Sequence, residues 1–564
     1  MFARILDARK GGSWQVVPVA AYEARQRYRD LTNLLDTRYT TRTGVAVVTD
    51  FMPVGTSRAT DREAPRLVRL VECLSGTVRM RHAFDPRPAF GRERPAFEVH
   101  RRHLHASSGD LELCMASTAT VPGPRYSFVL EAGDAVAFAL RAGRNRRCAS
   151  QTWTVERARD SLRETQAFWW RWIGGCRYSG PYREHVWRSA LALKLMTYAP
   201  TGAIVAAPTT SLPEAIGGPR NWDYRYTWLR DASFTLFAFF QLGLHEEAHA
   251  FFDWLSKRHL GQAGGDIPNL FDLSGRANLD ERELQHLEGY RGSRPVRVGN
   301  AAVSQLQLDV YGEVLDSAYL YARFGGEVSH ALWRELHAIV ELTIERWAEP
   351  DESIWEVRSE RSDFTYSKLM CWVAVDRGLR LAQRFRFPCD EARWRAARRA
   401  IHRRVMLEGY SERLEAFTQV LGGNTLDAAV LRISQIRFLP DRDRRVTNTI
   451  KAVERHLSKG VLARRYDSAR SDDGLRGGEG AFFMCSFWLA DALAHCGEVE
   501  PAQRRFERLL GFGSPLGLFS EEVDMRDGAL LGNYPQAFTH LALVGAAVNI
   551  ERARHRHIGV RGLS

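Results

Sequence analysis

No stretch of about twenty uncharged apolar residues occurs, so no helical membrane span is expected. The opening residues, MFARILDARKGG, hold no long apolar core of the kind a secretory leader carries. None of the 8 cysteines pairs as C-x-x-C. Cys73, Cys148, Cys371 and Cys485 are scattered, which leaves zinc and redox motifs without support. There is no G-x-S-x-G elbow, no H-E-x-x-H and no phosphate-cradling loop. GGEG at 477–480 lacks the lysine and spacing of one. Lysine is scarce, so arginine supplies nearly all the positive charge. The net charge is +12, yet basic residues are mixed with Asp and Glu along the chain, and no basic arm or nucleic-acid motif is present. Solvated charged faces explain that balance better than a nucleic-acid partner. Free thiols without a leader fit a cytoplasmic location.

What is present is globular. The chain has 564 residues, 45% of them hydrophobic, too many for one ordinary core. Residues 1–160 read as β. RLVRLVECL at 66–74, TVRMRHAFD at 77–85 and RYSFVLEAGDAVAFALRAG at 125–143 are broken by Pro86, Pro122–Gly123 and Gly133–Asp134. The expectation is an antiparallel β-sandwich over 1–160, a linker over 161–180 and a helical domain over 181–555. About twelve helical segments follow by apolar periodicity, and they alternate in character. SFTLFAFFQLG at 233–243 and AFFMCSFWLADALAHCG at 481–497 are apolar nearly all round and must be buried on all sides. DEARWRAARRAIHRRV at 390–405 can bury only one stripe. An inner and an outer layer of helices follow. Short links lead from inner to outer helices, and long loops such as 259–306, 349–366 and 511–534 lead back. All the long loops then emerge at one end, where a site is expected.

Those loops carry the chemistry. GGPRNWDYRYTWLRDASF at 217–234 crowds Trp222, Tyr226, Trp228, Arg230 and Asp231 before an apolar helix. Flat aromatic faces and forked charges suit a sugar ring. Asp231 alone would be explained as a carboxylate compensating a helix N-terminus, a role compatible with binding. Further loops read RGSRPVRVGNAA at 291–302, PDESIWEVRSERSDFTYSK at 350–368, RYDSARSDDGLRGGEG at 465–480 and GLFSEEVDMRDGALLGNYPQ at 517–536. A carboxylate-lined cleft suits glycoside cleavage, in which one acid protonates the leaving oxygen and another carboxylate activates water or attacks. Composition alone does not choose among these acids.

A resemblance does. YRYTWLRDASF at 224–234 is similar to the first signature of glucoamylases, and RNWDYRY at 220–226 resembles the bacterial branch that includes trehalases. IWEVRSE at 354–360 and FSEEVD at 519–524 resemble the family's acid and base signatures. The chain is thereby identified as a member of glycoside hydrolase family 15. The resemblance implies an N-terminal β-sandwich followed by an (α/α)6 barrel. It implies Glu356 as general acid and Glu521, not its neighbour Glu522, as general base. Arg230 and Asp231 would grip the terminal glucose, with Trp228, Tyr226, Trp222 and Trp355 as walls. RPVRVGNAA implicates Arg294 and Arg297, and GGEGAFFMCSFWLADAL at 477–493 implicates Glu479. Relatives usually begin with an additional Gly-Ser-Ile-Asp-Trp-like strand, so the sandwich is expected to lack its first strands. Ser359 replaces a common glycine, and PNLFDLS at 268–274 departs from the usual sequence, so substrate preference does not transfer from the family.

The implied reaction inverts configuration and needs no metal or organic cofactor. Glu356 would be protonated, its pKa raised by burial or nearby acids. Room for water would put the two carboxyl groups roughly 6.5–9.5 Å apart. The expected substrate is an α-linked disaccharide or short oligosaccharide, with trehalose among the candidates. A disaccharide phosphorylase and a non-catalytic sugar-binding protein are the alternatives. Whether the chain forms a homo-oligomer is left open.

Overall fold

The computed structural model describes residues 1–54, 66–144, 153–257, 267–440 and 442–561. It divides into two compact units, one of residues 1–175 with 286–290, the other of 176–285 with 291–564.

The first unit is an antiparallel sheet domain. Its strands are β1 (Ser13–Pro18), β2 (Tyr22–Tyr28), β3 (Leu35–Thr41), β4 (Gly44–Phe51), β5 (Arg66–Asp85), β6 (Ala96–His100), β7 (His103–Ser108), β8 (Leu111–Ser117), β9 (Arg125–Glu131) and β10 (Ala135–Arg144). The main path runs β2-β3-β4-β5-β10-β8-β7-β6. β5 serves two ladders. Its first half pairs with β4 and β10, and its second half, from Thr77, pairs with β1 and β9. The changeover sits at Gly76, whose φ is +66° and whose missing Cβ would lie 2.1 Å from the Thr43 carbonyl oxygen. Only glycine fits there. Strict alternation along the strands sends Val16, Val48, Val71, Met80, Met115 and Phe138 into one core.

β10 buries its other face too. Ala137 and Ala139 pack with Val68, Leu70, Ala158 and Leu162. The last two lie on α1 (Val155–Ile173), which occupies much of the stretch expected to be a linker. The Thr154 hydroxyl accepts from the Arg157 N–H and caps this helix, whose apolar stripe docks on the sheet. The first unit therefore runs to 175 rather than 160. Cys114 is disulfide-bonded, against the expectation of free thiols throughout. Cys73, Cys176, Cys371, Cys389, Cys485 and Cys496 are free. Cys148 lies outside the described residues.

The second unit is mostly helical. Its helices are α2 (Arg183–Leu195), α3 (Leu229–Leu242), α4 (Glu246–Ser256), α5 (Asp309–Arg323), α6 (His330–Arg346), α7 (Thr365–Phe385), α8 (Glu391–Glu408), α9 (Ile433–Ile436), α10 (Arg444–Leu457), α11 (Phe483–His495), α12 (Val499–Leu510) and α13 (Ala537–Arg561). A 3-10 turn, Ala428–Arg432, runs into the short α9. α3 packs on α5, α5 on α7, α7 on the 3-10 turn, that turn on α11, α11 on α13, and α13 back on α3. α2, α4, α6, α8, α10 and α12 pack outside them. The burial pattern follows the sequence. α11 is buried along nearly its whole length, whereas α8 buries only Trp394, Ile401 and Val405. No helix among the described residues is long and apolar enough to cross a membrane.

Candidate active site

The loops before the inner helices converge on a small cleft. It is lined at the first turns of three inner helices by Arg230 and Asp231, by Met484, and by Phe538 and Thr539. Loop residues complete it, among them Tyr224, Trp228, Trp355, Glu356, Arg465 and Glu521. Two short ladders hold these residues. Thr227–Trp228 pairs with Leu270–Phe271, so the divergent loop at 268–274 braces Trp228. Glu522–Val523 pairs with Ala481–Phe482 and with Leu530–Leu531, which fixes the neighbouring Glu521.

Glu356 is partly exposed. Its Oε1 accepts from Trp228 Nε1 at 2.7 Å and from Arg230 Nη2 at 3.0 Å. Arg230 is buried and also donates to Gln307 Oε1 at 2.8 Å, with Asp231 and Asp309 each 3.6 Å away. Burial pushes the Asp231 carboxyl up to about 7, against the pull of Arg230, and that of Asp309 up to about 6. Trp355 turns its Nε1 to Asp427 at 2.9 Å and its ring to the cleft.

Glu521 is buried. Its Oε1 accepts from the Tyr224 hydroxyl at 2.8 Å, and its Oε2 has no hydrogen-bond partner. Burial first, then the nearby Glu214, push its carboxyl up to about 8. Glu214, Glu521 and Glu522 each place an oxygen within 4.8 Å of the other two, a spacing that shared protons or one cation would relieve.

A second, smaller chamber adjoins the first and shares Tyr224, Trp355, Glu356 and Arg465 with it. Glu214, Trp222, Asn300, Gln305 and Arg358 are among its other walls. Of the residues expected to bind substrate, Arg230, Asp231, Trp228 and Trp355 line the first chamber and Trp222 the second. Tyr226, Arg294, Arg297 and Glu479 line neither. The Tyr226 hydroxyl accepts from the Gly299 N–H, and Tyr224 stands at the wall instead. Arg297 donates to the Pro219 and Asn221 carbonyls and lies 4.7 Å from the Trp222 ring centre. Glu479 pairs with Arg465 and Arg220 and so holds Arg465 from behind. Arg294 is exposed. The sequence reading missed Tyr224, Glu214, Arg465 and Phe538. Tyr224 lies inside the YRYTWLRDASF motif, whereas nothing around Glu214 in SLPEA marks it.

Comparison with known proteins gives concordant matches. The family model for glycosyl hydrolases family 15 matches residues 180–548, and that for trehalase-like N-terminal domains matches 1–153. A trehalase of Mycolicibacterium smegmatis is 38% identical over 98% of this chain and 86% of its own length. A trehalase of Thermoplasma acidophilum is 36% identical over 98% of this chain and 95% of its own. Among solved structures, a bacterial glucoamylase complexed with acarbose superposes with a TM-score of 0.70 at 14% identity. It covers 96% of this chain and 88% of that one. That likeness shows a glucoamylase-like fold.

Proposed function

The chain belongs to glycosyl hydrolase family 15 and is a glycoside hydrolase, and on that premise we propose that it releases glucose from an α-linked disaccharide, trehalose first, with inversion of configuration. The observation that carries the disaccharide reading is the pair of chambers meeting at Glu356. One compact chamber suits the glucosyl unit and the other suits a second sugar as leaving group, with the proton donor at the waist between them. The full-length trehalase relatives favour trehalose over maltose and isomaltose. The closed packing order of the inner helices, enclosed by the outer set, supports an (α/α)6 barrel that follows a β-sandwich in the chain.

Glu356 is the general acid in this reading. Its Oε1 already accepts from Trp228 and Arg230, so the transferable proton sits on Oε2. Glu521 is the general base, and its unpartnered Oε2 takes the proton from water attacking the opposite face of the sugar. Arg230 and Asp231 hold the glucosyl hydroxyls at the bottom of the first chamber. Tyr224, Trp228 and Trp355 present ring surface to the sugar. The residues alone perform this proton traffic, with no metal or organic cofactor in any step. The six free thiols among the described residues favour a reducing compartment such as the cytoplasm, Cys114 being the exception.

The test is glucose release from trehalose, maltose, isomaltose and maltotetraose, with the product anomer followed by NMR. β-Glucose from trehalose, lost in Glu356→Gln and Glu521→Gln, is the expected result. α-Glucose as first product would overturn inversion. Glucose 1-phosphate formed only with added phosphate would replace the hydrolase with a phosphorylase.

A further inference from the structure

At the cleft wall, Glu214, Glu521 and Glu522 lie buried with one oxygen of each within 4.8 Å of the others. Each accepts one hydrogen bond from the protein. Trp222 Nε1 donates to Glu214 at 2.7 Å, the Tyr224 hydroxyl to Glu521 at 2.8 Å and the Gly480 N–H to Glu522 at 2.6 Å. Each also leaves an oxygen without a hydrogen-bond partner: Glu214 Oε2, Glu521 Oε2 and Glu522 Oε1. The cations that face them are Arg220 and Arg465, 3.9 and 4.0 Å from Glu214 Oε2. Both are committed elsewhere. Arg465 pairs with Glu479 at 2.6 Å, and Arg220 with Asp473 at 2.8 Å and Glu479 at 3.1 Å. Two guanidiniums are thus shared among five carboxylates, Asp473, Glu479 and the three glutamates, and cannot neutralise them all. Three buried carboxylates so close cannot all ionise.

We propose that these glutamates hold a single negative charge between them and that Glu214 is a positioning residue, competing with Glu521 for that charge and so setting the acid limb of catalysis. This rests on the reading of Glu521 as the water-activating base. Only when the charge resides on Glu521 can its Oε2 accept a proton from water. A charge on Glu214 or Glu522 leaves Glu521 protonated and idle. The titration belongs to the set rather than to one side chain. The upward displacement of all three carboxyls, Glu214 to about 7 and Glu521 to about 8, agrees with this sharing.

The experiment is the pH profile of kcat/KM for trehalose in the wild type, Glu214→Gln, Glu214→Asp and Glu522→Gln, each measured in chelator and again with added Mg²⁺. Glutamine keeps an oxygen for Trp222 and removes the competing carboxyl. The acid limb should move down by about one pH unit in Glu214→Gln, whatever the plateau height, and return toward the wild-type position in Glu214→Asp. Glu522→Gln should move it the same way and serves if Glu214→Gln does not fold. A limb fixed in the glutamine variants overturns the proposal. So does a wild-type limb that follows Mg²⁺, which would mean a cation relieves the cluster. Full activity in Glu521→Gln would instead remove the base assignment, a separate failure read in a separate variant.

Discussion

The rings of Tyr224 and Trp228 meet edge to face, 5.5 Å apart at 81°, and each hands its polar tip to a different glutamate. Tyr224 donates to Glu521 and Trp228 to Glu356. One aromatic pair thus spans the two proposed catalytic carboxylates and fixes their separation. Tyr224→Phe removes a hydrogen bond that favours ionised Glu521, worth about 1.5–3 kcal/mol. The expected outcome is a roughly ten- to hundredfold loss in kcat/KM and an acid limb moved upward, opposite to Glu214→Gln. The pH profile of kcat/KM measures both.

Glu356→Gln and Glu521→Gln should each lower kcat by about 10²–10⁴-fold, the usual range for a general acid or base. Circular dichroism and thermal unfolding should find both variants folded. Wild-type turnover in either would remove that residue from the mechanism.

Gly532 faces Glu521 with φ +72°, and a Cβ there would lie 2.6 Å from Glu521 Oε2. Gly532→Ala must therefore displace the carboxylate or the backbone. A displacement near 1 Å costs about a hundredfold in rate, so kcat should fall by that order while KM changes less. Steady-state kinetics on trehalose decide it.

Thermal stability should fall as pH rises from about 6 to about 8. Burial holds the carboxyls of Asp231, Asp351 and Asp427 up to about 7 and that of Glu313 up to about 8. An acid with a raised folded pKa binds more protons folded than unfolded across that window, so raising the pH favours unfolding. His82 and His540 work on the other side. Burial lowers both, so stability is lost as pH falls below about 6.5. Glu313→Gln should flatten the alkaline slope in a melting series from pH 5 to 9. An unchanged slope would mean Glu313 is not among its causes.

Much of this was legible from pattern alone. Alternation of all-apolar and striped helices predicted the inner and outer layers, because a helix apolar all round has nowhere to go but inside. Motif resemblance pointed to Glu356, Glu521, Arg230 and Trp228, all of which meet at the cleft. The misses share a cause. Tyr224 and Tyr226 sit two residues apart in one motif, and only the packing of that segment decides which hydroxyl reaches the cleft. Arg297 was expected on the sugar, but nothing in a sequence says whether a guanidinium points at a ligand or at carbonyls of its own loop. Glu214 belongs to no recognised motif, and its importance comes from partners more than three hundred residues away in the chain. The helix Val155–Ile173 escapes a reading that places a linker at 161–180, because Thr154, which caps it, lies before that boundary.

Glu356 has a backbone φ of +57°, in the left-handed region where glycine is at ease and other residues are strained. The strain is of order 1 kcal/mol or more. Glu356→Gly should therefore melt above Glu356→Ala, though both lose the acid. Selection for turnover must keep a side chain at a place the chain itself would give to glycine. Losing that side chain also strips Trp228 Nε1 and buried Arg230 of a shared acceptor, so relief of the backbone strain and loss of the ion pair pull in opposite directions.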